Sequence, residues 1–566
     1  MDAATHTTPP SPPPPPPAPP SSTAGEGCDE AREAAPLSAA VRIVSGLTLL
    51  SRFAGLARDV LTARMFGAGL LGSAFQAAYT FPNFFRRLFG EGALSAAFLP
   101  QYTLLKRDDP ALAGQLASIT LWALTLATGS LTLLIEAVLL ILLLAAPADS
   151  DRALSFRLMM LMLPMMPAVC ITAILGGMLQ AHGRFGPPAA APIILNLFQI
   201  AAGIGFFLGW YSSTPAAYIV GSAAVAATIV QILWSLHALR GMVRWTRIWH
   251  DARAHARTVL SRFIPAVLGL GTLQLNSFLD MLFAMWPVWV GPTLLGFTLS
   301  LDEQSNALLR YSQTLYQFPL GVFGIAVATA VFPLLSRAGD DPPAFLQHLR
   351  RGLRLSLYIG LPASVGLFLV RAEVLRLIYG GGEHGFDEAS IARAAAVLAG
   401  FAPAIWAYSL NHVLTRAFYA KGDTVTPMKL AVGAVVLNFA LNCTLIWPLR
   451  EAGLAWSTAI SATLQCAILM LLCGRVLNVR PLDGATCVGL GRTILASALM
   501  GAVVFFTARA WTPTTDWTDN ALRLAALLVA GAGSYALFSA AMRLPELKWL
   551  LHPAPRGPGG AALPLE

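Results

Sequence analysis

Six charged residues stand close together near the start of the apolar part of this 566-residue chain: Arg52, Arg58, Asp59, Arg86, Arg87 and Glu91. Arg86 and Arg87 are embedded between Phe81-Pro82-Asn83-Phe84-Phe85 and Leu88-Phe89. An arginine at the centre of a membrane span costs about 2.5–3.5 kcal/mol on insertion scales, so four of them facing lipid would cost on the order of 10 kcal/mol. They must instead face a wet cavity, pair with acids, or snorkel to an interface. Arg87 and Glu91 are spaced i, i+4 and share a helix face. Arg52 and Asp59, spaced i, i+7, nearly do. Two acids leave Arg58 and Arg86 without counter-charge. Surplus guanidinium in a cavity calls for an anion, and its planar fork binds phosphate bidentately, which lysine cannot do. The chemistry these residues offer is the binding of a phosphate or diphosphate. Anchorage at span ends is the competing reading, weightier for Arg52 and Arg58 than for Arg86 and Arg87.

A second intramembrane acid is Asp280, in Asn276-Ser277-Phe278-Leu279-Asp280. Asn411 and Thr415, with Asn438 and Asn442 further on, add neutral oxygens in apolar stretches. An acid with neutral oxygens suits a coupling site for Na⁺ or H⁺. Helix–helix hydrogen bonding is the plainer role for the neutral residues. No cofactor or metal is expected. The six cysteines (Cys28, Cys170, Cys443, Cys466, Cys473, Cys487) form no zinc-like spacing, and no disulfide is expected. His250 and His255 lack carboxylate partners, and Gly380-Gly381-Gly382-Glu383-His384 reads as an outer turn rather than a phosphate loop. No Walker motif, nucleophile elbow or HExxH occurs, so no enzyme activity is expected.

These residues need a membrane scaffold, and the composition supplies it. Hydrophobic residues make up 56% of the chain and charged residues 12%, against roughly 25% charged in soluble domains. Mean hydropathy is +0.63. A soluble enzyme, a coiled coil and a disordered regulator are all disfavoured, and a polytopic all-α membrane protein is the default. The net charge of +9 fits basic cytoplasmic loops better than nucleic-acid binding, for which no compact basic domain is available.

Fourteen candidate spans follow from residue 42 to residue 542, near 42–63, 70–102, 114–146, 155–181, 188–210, 215–239, 258–290, 304–335, 352–370, 391–419, 426–447, 453–475, 489–510 and 521–542. The first, second, seventh and eighth carry charges or prolines. With the N-terminus inside, cytoplasmic loops hold about twenty-two Lys/Arg against about nine outside, which places both termini in the cytoplasm. Residues 1–37 read as a disordered cytoplasmic tail, in which Pro9–Pro20 is a polyproline II tract. Beyond it the divisions are 38–240 (six spans), a basic linker at 241–257, 258–480 (six spans), a last helix pair within 481–545, and a tail at 546–566. A faint repeat supports two halves. Tyr79-Thr80-Phe81-Pro82 opens a segment closing at Pro100, and Tyr316-Gln317-Phe318-Pro319 opens one closing at Pro333, six spans later. Paired halves of this kind enclose a central transport site, with the prolines bending helices at the cavity.

The same residues resemble a known family. Ser51-Arg52-Phe53-Ala54-Gly55-Leu56-Ala57-Arg58-Asp59, Phe66-Gly67-Ala68 and the stretch Phe81 to Ala93 are similar to the MurJ (MviN) lipid II flippases of the multidrug/oligosaccharidyl-lipid/polysaccharide exporter superfamily. The likeness continues at Gln317-Phe318-Pro319-Leu320-Gly321 and at Phe418 to Pro427, and covers roughly residues 40–545. It implies fourteen helices in two lobes around a cavity, and alternating access that moves the undecaprenyl-diphosphate-linked peptidoglycan precursor to the outer leaflet. It assigns the cavity arginines to Arg52, Arg58, Arg86 and Arg87 with Glu91 as companion, and a lipid-tail groove to about 489–542. The implied setting is a multi-pass bacterial inner-membrane protein in cell-wall biogenesis. Its partners would be lipid II, membrane lipids and cell-wall synthesis machinery, and it would act as a monomer. An exporter of another polyprenyl-linked glycan is the alternative. Two departures stand out. Ser73 replaces an aspartate common in the family, and Gln313 and Thr314 occupy the place of an acid–arginine pair, with Arg310 one turn earlier as a substitute.

Overall fold

The computed structural model describes residues 26–88, 94–294, 296–381, 384–477, 479–514 and 516–551, with side chains from residue 46 onward except 95–96, 264–273 and 551. The described residues are almost wholly helical and include one short hairpin, Thr293–Leu294 paired antiparallel with Phe297–Thr298. Eleven of the described helical segments are long and apolar enough to cross a membrane. Helices also occupy the other three expected places: α1 (Glu26–Phe66), the pair α2 (Leu70–Phe85) and α3 (Leu94–Asp108), and α9 (Arg253–Trp289). These are the charge-bearing ones, so composition alone does not mark them as spans. The start of α1 at Glu26 falls within the segment expected as a tail.

The first group of helices comprises α1–α3 with α4 (Pro110–Ala145), α5 (Asp151–Met162), α6 (Met165–Ala181), α7 (Gly186–Phe207) and α8 (Ser213–Ala238). In it α7 lies against α1 and α8, and α2 lies against α5. The second comprises α10 (Ser305–Pro319), α11 (Ile325–Arg337), α12 (Pro342–Leu369), α13 (Arg371–Tyr379), α14 (Glu388–Phe401), α15 (Ala404–Ala420), α16 (Val425–Leu449) and α17 (Glu451–Val476). Here α14, α15 and α16 all pack on α17. Helices α18 (Gly484–Ala510) and α19 (Trp517–Ala541) form a pair on the flank of α12 and α13. Loops end in side chains that cap the next helix: Asp109 accepts the Ala111 and Leu112 amides at 3.0 Å, and Asp341, Asp387 and Asp483 do likewise for α12, α14 and α18. Each such cap satisfies amides that the helix cannot, a contribution of about 1 kcal/mol.

Helix α9 does not respect the expected boundary at residue 258. Val259, near its start, is buried with Leu116 of α4 and Phe98 of α3. Its far end contributes Phe283 and Ala284 to the core of the second group. The two groups also share a core where α1 ends, because Ala63 and Ala68 pack with Leu308 and Tyr379.

The Tyr-x-Phe-Pro repeat has a structural counterpart. After Pro82, residues 86–88 form a π-helical turn, and after Pro319, Leu320–Gly324 forms another. Proline withholds an amide and crowds the preceding turn, and π-turns of this kind cluster at functional sites. The segment expected as a C-terminal tail from residue 546 begins instead as α20 (Pro545–Leu551). Glu546 there is fully buried and takes Arg354 of α12 at 2.5 Å, and the Trp549 ring lies 4.8 Å from the Arg351 guanidinium.

Candidate functional site

Where α1, α2, α6, α7, α9 and α10 converge they enclose a cavity of about 770 Å³. Its described lining includes Arg52, Arg58, Arg86, Arg87 and Arg310, with Asp59 as the only carboxylate among them. The four arginines expected from the sequence are therefore brought together, and Arg310 joins them from the second group of helices. Glu91 lies outside the described residues.

Asp59 pairs with its neighbour Arg58, not with Arg52 as the i, i+7 spacing suggested. Its Oδ1 accepts Arg58 Nε at 3.0 Å and Nη2 at 2.6 Å. The arginine stem is long enough to curl back along α1, and two further residues hold it there. Arg58 also donates to the Tyr79 hydroxyl and to Asn196 Oδ1 (3.1 Å), with its guanidinium 4.7 Å from the Tyr79 ring centre. The other Asp59 oxygen accepts Thr314 Oγ1 at 3.1 Å, from α10. One ion pair thus carries contacts from both groups of helices.

Arg52 instead reaches across to the second π-turn. A Cβ placed on Gly321 would lie 1.9 Å from Arg52 Nη1, so glycine is what lets the guanidinium settle on that backbone. The Phe53 and Phe318 rings meet edge-on beside it, 5.8 Å apart. Arg86 and Arg87 sit on the first π-turn. Arg86 Nε donates to Asn83 Oδ1 and Arg87 Nη1 to Gln274 Oε1 of α9, both at 3.1 Å. Arg310 donates to Gln313 Oε1, and Gln313 Nε2 passes the contact on to Ser277 Oγ at 3.0 Å. The Arg310 Nε is buried without a partner among the described residues. Gln313 and Thr314, themselves uncharged, therefore hold Arg310 and Asp59 by charge-assisted hydrogen bonds.

Ser73 has a defined place. It is fully buried, its carbonyl accepts Asn306 Nδ2 at 2.8 Å, and its Oγ accepts the Ala307 amide at 3.0 Å. Nearby Arg64 donates to the Leu377 carbonyl at 3.4 Å. Gly67, at φ +66°, leaves room for the His384 carbonyl, which a Cβ would approach to 2.8 Å. These contacts tie the two groups together at the far end of α1.

Asp280 lies outside the cavity. It is buried and accepts Asn442 Nδ2 at 2.7 Å; Asn442 also donates to Asn438 (3.2 Å), which donates to Thr458 (3.3 Å). Asn411 donates to the Ala462 carbonyl at 3.0 Å. No hydrogen bond among the described residues joins Asp280 to Asn411 or Thr415, and no cluster of His, Cys, Asp and Glu there could hold a metal ion.

Sequence reasoning missed Asn196 and Gln274, and it noted Tyr79 and Thr314 without their part in orienting the charged residues. It also missed an ion cluster at one end of the second group. There Arg393 donates to Asp302 (2.8 Å) and to the buried Glu451 (2.8 Å), and Arg450 donates to Asp302 (2.7 Å). Asp302 has its carboxyl below the usual range: burial alone would raise it, but the hydrogen bonds and charge of Arg393 and the charge of Arg450 outweigh that.

A family model described as "Lipid II flippase MurJ" matches residues 62–524. A probable lipid II flippase MurJ of Vibrio cholerae is 30% identical over 533 residues, covering 89% of this chain and 96% of its own length. Among solved structures, a lipid II flippase MurJ in an inward closed conformation superposes with a TM-score of 0.73 at 22% identity, covering 90% of this chain and 99% of the other. An inward-facing multidrug resistance MATE family transporter of the MOP superfamily superposes at 0.58 and 14% identity, covering 77% and 98%.

Proposed function

This chain belongs to the MurJ family of lipid II flippases, and from that premise we propose that it carries lipid II across the bacterial inner membrane by alternating access. The observation that carries the reading is the cavity in which five arginines face a single described carboxylate. That surplus suits the diphosphate of an undecaprenyl-linked precursor and repels a cationic cargo. The reaction is a change of leaflet with no bond made or broken.

In this reading the contacts of Ser73, Arg64 and Gly67 with the second lobe form the outer gate, and the cavity takes substrate from the cytoplasmic side. Arg58, preset by Asp59, Tyr79 and Asn196, and Arg87, set by Gln274, grip the diphosphate. Arg52 and Arg86 complete the positive field. Engagement of the anion competes with Asp59 for Arg58, and Asp59 is also held by Thr314 of the other lobe. Substrate is thereby linked to the contact between lobes, which is the differential interaction that alternating access requires. A Na⁺ or H⁺ coupled to the cycle would act at Asp280. The test is binding of undecaprenyl diphosphate to the purified chain. Substituting glutamine for Arg58 and Arg87 together is expected to weaken it at least tenfold, and unchanged affinity would refute the assignment.

A further inference from the structure

A second cavity, of about 430 Å³, lies on the flank of the molecule between α3, α4 and α9, away from the transport site. Its wall is apolar: Ala123, Ala127 and Leu131 of α4 face Leu260 of α9. Even Thr128 is turned back, its hydroxyl donating to the Leu124 carbonyl at 2.7 Å. At one end stand Arg253 and Arg257, one turn apart on α9, both exposed and neither in an ion pair among the described residues.

The charged end is also the interfacial end. Beside it Gln115 donates to Asp251 and the Thr246 amide to Ser118, which fastens the basic loop to α4. The Trp122 and Trp249 rings meet there at 5.6 Å, with Trp122 about half exposed. Tryptophans of this kind sit at the headgroup level of a bilayer. From Ile119 to Leu131 the groove follows α4 for about 18 Å, somewhat more than half of a ~30 Å hydrocarbon core.

An apolar channel of half-bilayer depth with two exposed guanidinium groups at its headgroup end has the chemistry of one lipid molecule. We infer that the groove between α3, α4 and α9 is a binding site for an anionic glycerophospholipid of the cytoplasmic leaflet. One acyl chain lies along Ala123, Ala127 and Leu260, and the phosphate is held by Arg253 and Arg257. Basic residues at this level attract anionic headgroups, and the guanidinium fork adds hydrogen bonds to the phosphate oxygens.

Native mass spectrometry of the full chain, titrated with phosphatidylglycerol or with phosphatidylcholine of the same acyl chains, tests this. The first bound phosphatidylglycerol is expected to be preferred roughly tenfold. The preference should fall to within about twofold in the double variant Arg253→Gln/Arg257→Gln, a change of the size expected for two interfacial arginines. Ala127→Phe, which fills the channel with both arginines intact, should weaken phosphatidylglycerol to a similar degree. Absence of a preference in the unaltered chain, or either variant binding as the unaltered chain does, would overturn the assignment. So would displacement of the lipid by equimolar undecaprenyl diphosphate, since the groove would then belong to the substrate's tail. If the double variant does not fold, Ala127→Phe and the headgroup preference of the unaltered chain still decide.

Discussion

Arg87 and Arg52 show two ways in which an arginine can be placed beside an anion. Arg87 stands on a π-turn in the wall of the cavity, with one nitrogen donating to Gln274. Arg87→Lys keeps the charge but loses the bidentate geometry, so it is expected to fail in a complementation assay at normal membrane levels. Growth equal to the unaltered protein would undo the phosphate-clamp argument. Arg52 rests where a Cβ on Gly321 would stand, 1.9 Å from its Nη1. Gly321→Ala must therefore move the guanidinium. It is expected to weaken undecaprenyl diphosphate binding about three- to tenfold, on the order of 1 kcal/mol, with an unchanged melting temperature. The charged residues were legible in the sequence because arginine in an apolar run has so few structural excuses. The roles of Asn196, Tyr79 and Thr314 were not, because a neutral polar residue in a span is equally well explained by a helix–helix hydrogen bond. Only the packing of α7, α2 and α10 around Arg58 separates the two. The i, i+7 spacing misassigned Asp59 to Arg52 because it considered backbone faces and not the reach of a curled arginine.

At the scale of elements, the ion cluster of Asp302, Arg393, Arg450 and Glu451 fastens the loop before α10 to α14 and α17. Glu451 is buried and, among the described residues, keeps only Arg450 as a paired cation, at 3.8 Å, when Arg393 is removed; breaking a fully buried pair costs about 3–5 kcal/mol. Arg393 is partly exposed, so Arg393→Ala is expected near the lower end, about 3 kcal/mol, read as a lower melting temperature in detergent. The depressed carboxyl of Asp302 gives a pH dependence of definite sign. Its contribution is present at neutral pH and is lost as pH falls below the ordinary carboxylate value of 3.8 through the lower folded value. Thermal stability measured from pH 7 to pH 3 should fall less in Asp302→Asn than in the unaltered chain; an equal fall would mean that other groups set the slope. Neither this cluster nor α20 was visible from sequence. Each brings together residues far apart in the chain, such as Arg354 with Glu546, and a seven-residue helix has too short a pattern to declare itself. The Tyr-x-Phe-Pro repeat was visible, and its physical meaning, a π-turn after each proline, emerged only with the backbone.

For the whole molecule, the apolar composition already implied a helical membrane protein, and eleven of the described helical segments are long and apolar enough to cross a membrane. Composition was weakest for α1, α2–α3 and α9, because the helices that line a charged cavity give up the apolar signature of a span. Deleting residues 2–25, which precede α1, is expected to leave transport intact; loss of transport at normal membrane levels would assign the proline tract a role. What the whole molecule does is change the leaflet of its substrate. In cells depleted of this protein, the accessibility of lipid II to a lipid II-cleaving enzyme added from outside measures it most directly. Lipid II is expected to accumulate protected from cleavage, and restoring the unaltered chain, but not Arg87→Lys, to return it to the outer leaflet. Lipid II that stays cleavable during depletion while wall synthesis continues would contradict the account.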